Sequence, residues 1–354
     1  MKAFCLKRKG IVCFQEVEEP RLDGYPYGAI IRPILISPCT SDIHTIYGSG
    51  SAKAPNLVLG HEAIGVVESV SELVKDFRVG DRVAIPAITP DWREPDIQNG
   101  NYGHAGAHFS GHKLGRTLPG VFAERLLIPD ADTTLAHIPD CISDKQALMC
   151  VDVVTTGLTG AEGADIHFGD TVCVIGVGAI GLMAIAGAKL SGAGRIIAIG
   201  TRRKGIELAN RYGANEIISY KSEDIAAGVL SRTAQRGCDS VIIAGGNDDV
   251  FNKAFEMICY GTGTVSNVNY YAGDGSLAFS KFHAGRGMAG KTLRTLLAKG
   301  GRSRLERIFE LIKYGRLDPS PLVTHELNEF DMLPQAIELM RNKPDDLIKV
   351  AVHV

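Results

Sequence analysis

Gly176-Val177-Gly178-Ala179-Ile180-Gly181 restricts the fold of this chain more than any other stretch. A G-x-G-x-x-G hexapeptide is a weak signal alone. Here it follows an apolar strand-like run, T-V-C-V-I, and opens an apolar helical run ending A-G-A-K-L, the context of a dinucleotide-binding turn. The first glycine makes the turn, the second admits the pyrophosphate to the backbone, and the third lets helix pack on strand. The helix N-terminus offers its unpaired N–H groups to the phosphates. Such a unit belongs in a parallel sheet, and the sequence continues it. R-I-I-A-I-G, E-I-I-S-Y, S-V-I-I-A-G and G-T-V-S-N-V alternate with helical segments as far as about Gly290, which predicts right-handed βαβ units.

The end of the next strand bears on which dinucleotide is bound. An NAD site places Asp or Glu about 20 residues after the turn, on the ribose hydroxyls. This chain reads Gly200-Thr201-Arg202-Arg203 there. Without the carboxylate there is room for a 2′-phosphate, which an arginine binds with paired charge-assisted hydrogen bonds. Tyr220 closes the following strand and can flank the same phosphate or the adenine. These residues favour NADP. Arg203 fits a solvated helix start better than Arg202 does.

A chain of 354 residues has room for a second domain. Residues 1–36 are β-rich, A-I-G-V-V-E-S-V reads as a strand, and Val79 to Val83 as a turn entering another. Residues 88–120 lack periodicity and form a long loop segment; His104, His108 and His112 within it suit surface or pocket-lining roles better than a metal site. Ser143 to Gly163 turns helical. The C-terminal segment mixes two amphipathic helices with a terminal strand, I-K-V-A-V, and returns to the first domain. The expected class is α/β, a β-rich domain plus a doubly wound parallel sheet.

Formal net charge is -2, with neither a basic stretch nor an acidic tail, so nucleic acid is not an expected partner. Thr171 to Leu190 approaches membrane-span length, but its glycines favour a strand turning into a buried helix, and no membrane association is expected. The N-terminus lacks the apolar core of a signal peptide. Eight scattered cysteines form no C-x-x-C pair, which points to buried fillers in a reducing compartment, the cytoplasm.

Pro38 to Glu62 gathers the chemistry: P-C-T-S-D-I-H, a Gly-, Ser- and Ala-containing loop, then L-G-H-E-A-I-G. Cys39, His61 and Glu62 are zinc-type donors, and Ser41 and His44 can move a proton beside a metal. A further ligand must come from elsewhere in the chain.

With both halves in view, the chain resembles the zinc-dependent medium-chain dehydrogenases, and within them the NADP-dependent secondary-alcohol dehydrogenases of anaerobic bacteria and protists. The matching stretches are S-P-C-T-S-D-I-H, L-G-H-E-A, T-P-D-W, V-D-V-V-T-T-G, G-V-G-A-I-G-L-M, A-G-A-K-L-S-G-A-G-R-I-I and K-P-D-D-L-I-K. The resemblance implies a GroES-like catalytic domain over residues 1–154, completed by 298–354, and a Rossmann NADP domain over 155–297. It implies one catalytic zinc per chain held by Cys39, His61 and Asp152, with Glu62 as an exchangeable fourth ligand. Aligning on T-T-G selects Asp152 over Cys150, which a regular helix would carry about 200° around the axis. Ser41 becomes the proton acceptor and His44 its link onward. Thr156 would touch the nicotinamide, and Gly176, Gly178, Ala179, Ile180, Gly181 and Asn269 would line the cofactor. Gly200, Thr201, Arg202 and Tyr220 would surround the 2′-phosphate.

Zinc acts here as a Lewis acid towards alcohol or carbonyl oxygen, and the nicotinamide carries hydride. The implied activity is reversible oxidation of small secondary alcohols to ketones, with some aldehydes, by a homotetramer. Two departures bear on substrate: His112 stands where relatives usually carry Trp, and T-L-L-A-K at Thr295 to Lys299 replaces a glycine- and cysteine-containing segment. A more polar carbonyl or a polyol is therefore a second expectation. A non-enzymatic nucleotide-binding scaffold is a third, which the intact ligand set disfavours.

Overall fold

The computed structural model describes residues 1–48, 56–273 and 275–354. The Gly-, Ser- and Ala-containing loop expected after His44 falls mainly in 49–55, outside the described residues. The chain divides into two compact units, Met1–Thr155 with Lys299–Val354, and Thr156–Ala298.

In the first unit a seven-stranded sheet carries the architecture. Ala29–Ile36 alternates inward and outward, burying Ala29, Ile31 and Leu35 while exposing Arg32. Pro33, which has no N–H to give a neighbour, sits where the register with Ala63–Val70 shifts. Apolar side chains such as Phe4, Ile31, Ile46, Leu59, Phe77 and Phe122 fill the core. Ile36 pairs with Ala63, and Ser37 N–H continues the ladder to the Glu62 carbonyl at 3.1 Å. The terminal strand, Lys349–His353, runs antiparallel on the other side of Ala29–Ile36, pairing Val352 with Ile36. Chain segments bearing Cys39, His61, Glu62 and Lys349 thus converge at one end of the sheet. Residues 88–120 are largely irregular, with a short 3-10 turn at Pro95–Asn99.

The second unit is a six-stranded parallel sheet. Its spatial order is Glu216–Ile218, Arg195–Ile199, Thr171–Ile175, Ser240–Ile243, Thr264–Asn267, Thr292–Thr295. That is the doubly wound order, with the glycine turn leaving the strand where the winding reverses. The first five strands are the expected ones. The sixth lies beyond the point where apolar alternation weakens, because T-L-R-T is a half-exposed edge strand with no apolar run. Among the described residues no helix is long and apolar enough to cross a membrane; Thr171 to Leu190 is divided between strand Thr171–Ile175 and helix Ala179–Leu190.

Gly176 has φ +106°, a conformation side chains rarely adopt, and a Cβ on Gly181 would lie 1.9 Å from the Gly176 carbonyl oxygen. Gly181→Ala must therefore push the helix off the strand, with an expected loss of about 1–3 kcal/mol in urea unfolding. Gly275→Ala, where a Cβ meets nothing within 4 Å, should leave the midpoint unchanged.

Candidate functional site

Cys39, His61, Glu62 and Asp152 each offer a ligand atom, and these atoms lie within 4.8 Å of one another. Cys39 caps the helix Thr40–Tyr47. Its backbone N–H donates to Asp42 Oδ2 at 2.8 Å. The other oxygen of the same buried carboxylate lies 3.5 Å from His61 Nδ1. One aspartate therefore serves the helix start and orients the imidazole, an outer-shell arrangement common at metal-binding histidines. Nε2 faces the cluster, 3.7 Å from Asp152 Oδ2 and 3.1 Å from Ser41 Oγ. Asp42 lies within the P-C-T-S-D-I-H motif, yet no pattern in the sequence assigned it this role.

Asp152 arrives differently from the expected continuous α-helix. After helix Asp144–Met149, residues Cys150–Val154 form a π turn, and an α-helix resumes at Thr155. Such wide turns are rare and concentrate at functional sites. Ala87 N–H ties this one down through the Val151 carbonyl at 3.0 Å. Cys150 points elsewhere: its Sγ donates to the Gln146 carbonyl at 3.1 Å, and burial pushes the thiol pKa far up. The four-residue cluster includes Asp152 and excludes Cys150.

Lys349 stands directly behind the cluster, and sequence reasoning missed it. It is 2% exposed, and its Nζ donates to the Pro38 carbonyl and to Glu62 Oε1, each at 2.8 Å. The available signal was a lone cation inside the apolar strand I-K-V-A-V. Glu62 Oε2 lies 2.7 Å from the same ammonium, but at an angle that leaves it without a hydrogen bond. We take the close contact as the ion pair and Oε2 as an acceptor with capacity left over.

The electrostatics fit a cation. Burial, then the Glu62 charge, pushes the Cys39 thiol up. Burial lifts Glu62 to about 7 against the pull of Lys349. Burial opposes a charge on His61, yet Asp42, Asp152 and Cys39 together hold its pKa well above the ordinary range. Two carboxylates, a thiol and an imidazole held this close call for a positive centre, and they are donors zinc accepts. His61 and Glu62 are buried, whereas Cys39 and Asp152 are partly buried.

His44 follows Ser41 by three residues on the same helix, the spacing of neighbours on one face. Burial, then Lys343, lowers its pKa. His112 packs edge-on against His61, ring centroids 4.8 Å apart. Burial and the charge on His61 push its pKa down to about 3, so its ring is neutral. His104 and His108 stack on each other, and His104 Nδ1 accepts from Phe109 N–H at 3.1 Å. Neither belongs to a metal-type cluster of three or more among the described residues.

In the second unit, Gly178 caps the helix Ala179–Leu190. A Cβ on Gly178 would meet only Arg202 Nη2, at 3.4 Å, so this guanidinium lies beside the glycine turn. Thr201 Oγ1 donates to Tyr220 Oη at 2.9 Å, joining two of the residues expected around a 2′-phosphate. Gly200 admits no side chain, since a Cβ would lie 2.2 Å from Val177 Cγ2. Arg202 is half-buried and Arg203 exposed. Asn269, past the end of strand Thr264–Asn267, donates through Nδ2 to the Gly246 carbonyl at 3.3 Å. Thr156 is buried near the start of helix Thr155–Gly163. Arginine, hydroxyls and free helix N–H groups suit a phosphorylated dinucleotide.

Residues 26–140 match the alcohol dehydrogenase GroES-like domain family, and residues 179–311 match the zinc-binding dehydrogenase family. The NADP-dependent isopropanol dehydrogenase of Thermoanaerobacter brockii is 46% identical over 352 residues, covering 99% of each chain. Its namesake in Entamoeba histolytica is 43% identical, over 93% of this chain and 90% of that one. The alcohol dehydrogenase TADH from Thermus sp. ATN1 superposes with a TM-score of 0.87 at 31% identity, covering all of both chains.

Removing one partner of a buried ion pair leaves the other charge stranded. Lys349→Met is expected to lower stability by about 3–5 kcal/mol in urea unfolding of the metal-free protein. Adding Glu62→Leu should recover most of that loss; a double variant as unstable as the single one would show that Lys349 matters for packing alone.

Proposed function

This chain belongs to the zinc-binding alcohol dehydrogenase family, and from that premise we propose that it reversibly transfers hydride between small secondary alcohols and NADP, giving ketones, with some aldehydes also reduced. The carrying observation is one chain that combines the Cys39, His61, Glu62 and Asp152 cluster with a glycine turn flanked by Arg202 in place of a carboxylate.

In this reading residues 1–154 with 298–354 form the catalytic domain, and 155–297 the NADP domain. Cys39, His61 and Asp152 hold zinc, and Glu62 is the exchangeable fourth ligand. When bound, zinc supplies a Lewis acid towards the substrate oxygen and NADP supplies the hydride acceptor. Asp42 fixes the His61 tautomer by receiving Nδ1–H, which leaves Nε2 for the metal. Ser41 Oγ, 3.1 Å from that Nε2, takes the alcohol proton. His44, one helical turn on, passes the proton towards ribose or solvent; its lowered pKa keeps it a neutral acceptor at physiological pH. Lys349 restrains Glu62 and so sets how readily this carboxylate exchanges. Gly176, Gly178, Ala179, Ile180 and Gly181 receive the pyrophosphate, Asn269 and Thr156 contact the cofactor, and Gly200, Thr201, Arg202 and Tyr220 surround the 2′-phosphate. Eight unpaired cysteines support a reducing compartment, the cytoplasm. The assembly proposed is a homotetramer, on family resemblance.

Asp152→Ala should lose zinc and activity, whereas Cys150→Ala keeps about one zinc per chain by atomic emission; the reverse pattern would sink the ligand assignment. Arg202→Asp should lower kcat/KM for NADPH by about 30-fold or more while sparing NADH. Equal losses on both cofactors would refute the 2′-phosphate site.

A further inference from the structure

A cavity of about 350 Å³ lies within the first unit, and none of the four clustered ligand residues lines it. Its volume is at the small end for ligand sites. The walls are tied together by backbone bonds before any guest arrives. The Tyr27 carbonyl accepts from Ala131 N–H at 2.9 Å, and Thr89 N–H donates to the Gly111 carbonyl at 2.7 Å. The N–H groups of Arg116, Thr117 and Leu118 converge on the Lys113 carbonyl at 3.0, 2.9 and 3.0 Å.

The two cations on the wall are not equivalent. Arg93 donates to Asp130 Oδ1 at 3.1 Å, lies 3.8 Å from Asp91 Oδ1 and covers the Tyr27 ring, so its charge is already matched. Lys113 is half-buried, and among the described residues its ammonium has neither a hydrogen bond nor an ion pair. Thr89 on the same wall is 6% exposed, and its hydroxyl also lacks a partner there. Leu114, Leu118 and Ile128 make part of the lining apolar. An ammonium drawn partly out of water favours a counter-charge, and the described residues supply none.

We propose that this cavity binds an organic monocarboxylate of medium chain length, its carboxylate on the Lys113 ammonium and its hydrocarbon body against Leu114, Leu118 and Ile128. One unmatched cation calls for one negative charge. Asp91 and Asp130 repel a dianion such as a dicarboxylate or a phosphate ester, and the apolar lining favours a hydrocarbon body over an inorganic ion. No step of the hydride transfer proposed above depends on this site, so the two readings stand or fall separately.

Isothermal titration of the full chain with sodium hexanoate tests this, using zinc-loaded and zinc-stripped protein. Hexanoate should bind both forms, more weakly as salt is added. Affinity should rise about threefold per methylene from butanoate to hexanoate. Hexanamide, which keeps the chain and loses the charge, should bind about tenfold more weakly. Lys113→Met should cost hexanoate a similar factor and leave hexanamide unmoved, whereas Lys113→Arg should keep most of the affinity. Binding seen only with zinc present would put the carboxylate on the metal cluster and overturn the inference. Equal affinity for acid and amide, an unchanged Kd in Lys113→Met, or no saturable binding of hexanoate would overturn it as well. If the Met variant does not fold, the acid-to-amide ratio of the wild type and a Lys113→Gln variant decide.

Discussion

The controlling constraint in this molecule is charge balance in a small dry space. Three potential anions and an imidazole crowd together at the end of a sheet, two of the four residues buried and two partly buried. Coulomb repulsion at such separations is large wherever solvent is excluded. The surrounding fold supplies the compensation: the Lys349 ammonium behind Glu62, and the Asp42 carboxylate behind His61. Each of these second partners also has a structural duty, Lys349 in tying the Pro38 carbonyl and Asp42 in capping a helix. Ligand geometry and backbone geometry are thereby one problem with one solution.

The nucleotide-binding half was open to reading because its signals are local. Apolar strands, glycine positions and a missing carboxylate are all adjacent to the turn they govern, and the first five strands fall where periodicity puts them. Strand Thr292–Thr295 escaped because an edge strand need not be apolar. The first half was harder. Cys39, His61 and Glu62 announce themselves within one motif, but Asp152 is separated from them by some 90 residues of chain, and only resemblance selected it. Lys349 is farther still. Its contact with Glu62 spans 287 residues, and no local pattern distinguishes a buried structural lysine from an exposed one on a strand.

The π turn at Cys150–Val154 illustrates a limit of reading helices by their period. A helical pattern over Ser143 to Gly163 is correct as a class, but a wide turn shifts the angular phase of every later residue in the helix. The regular-helix separation between Cys150 and Asp152 therefore only approximates their true placement. Their settings differ physically: the thiol has a carbonyl partner within its own helix, at Gln146, while the carboxylate faces the imidazole of His61.

Strand order also dictates a sequence of events in biosynthesis. Glu62 is made early and its cationic counterpart close to the end, with the whole of the nucleotide-binding unit translated between them. A nascent chain can assemble the parallel sheet of Thr156–Ala298 while the ligand cluster still lacks both its charge partner and the strand that carries it. Early in synthesis the cluster is therefore an uncompensated group of acids, and only the arrival of Lys349–His353 completes its surroundings. The finished surroundings of the cluster are thus completed only by the last strand of the chain.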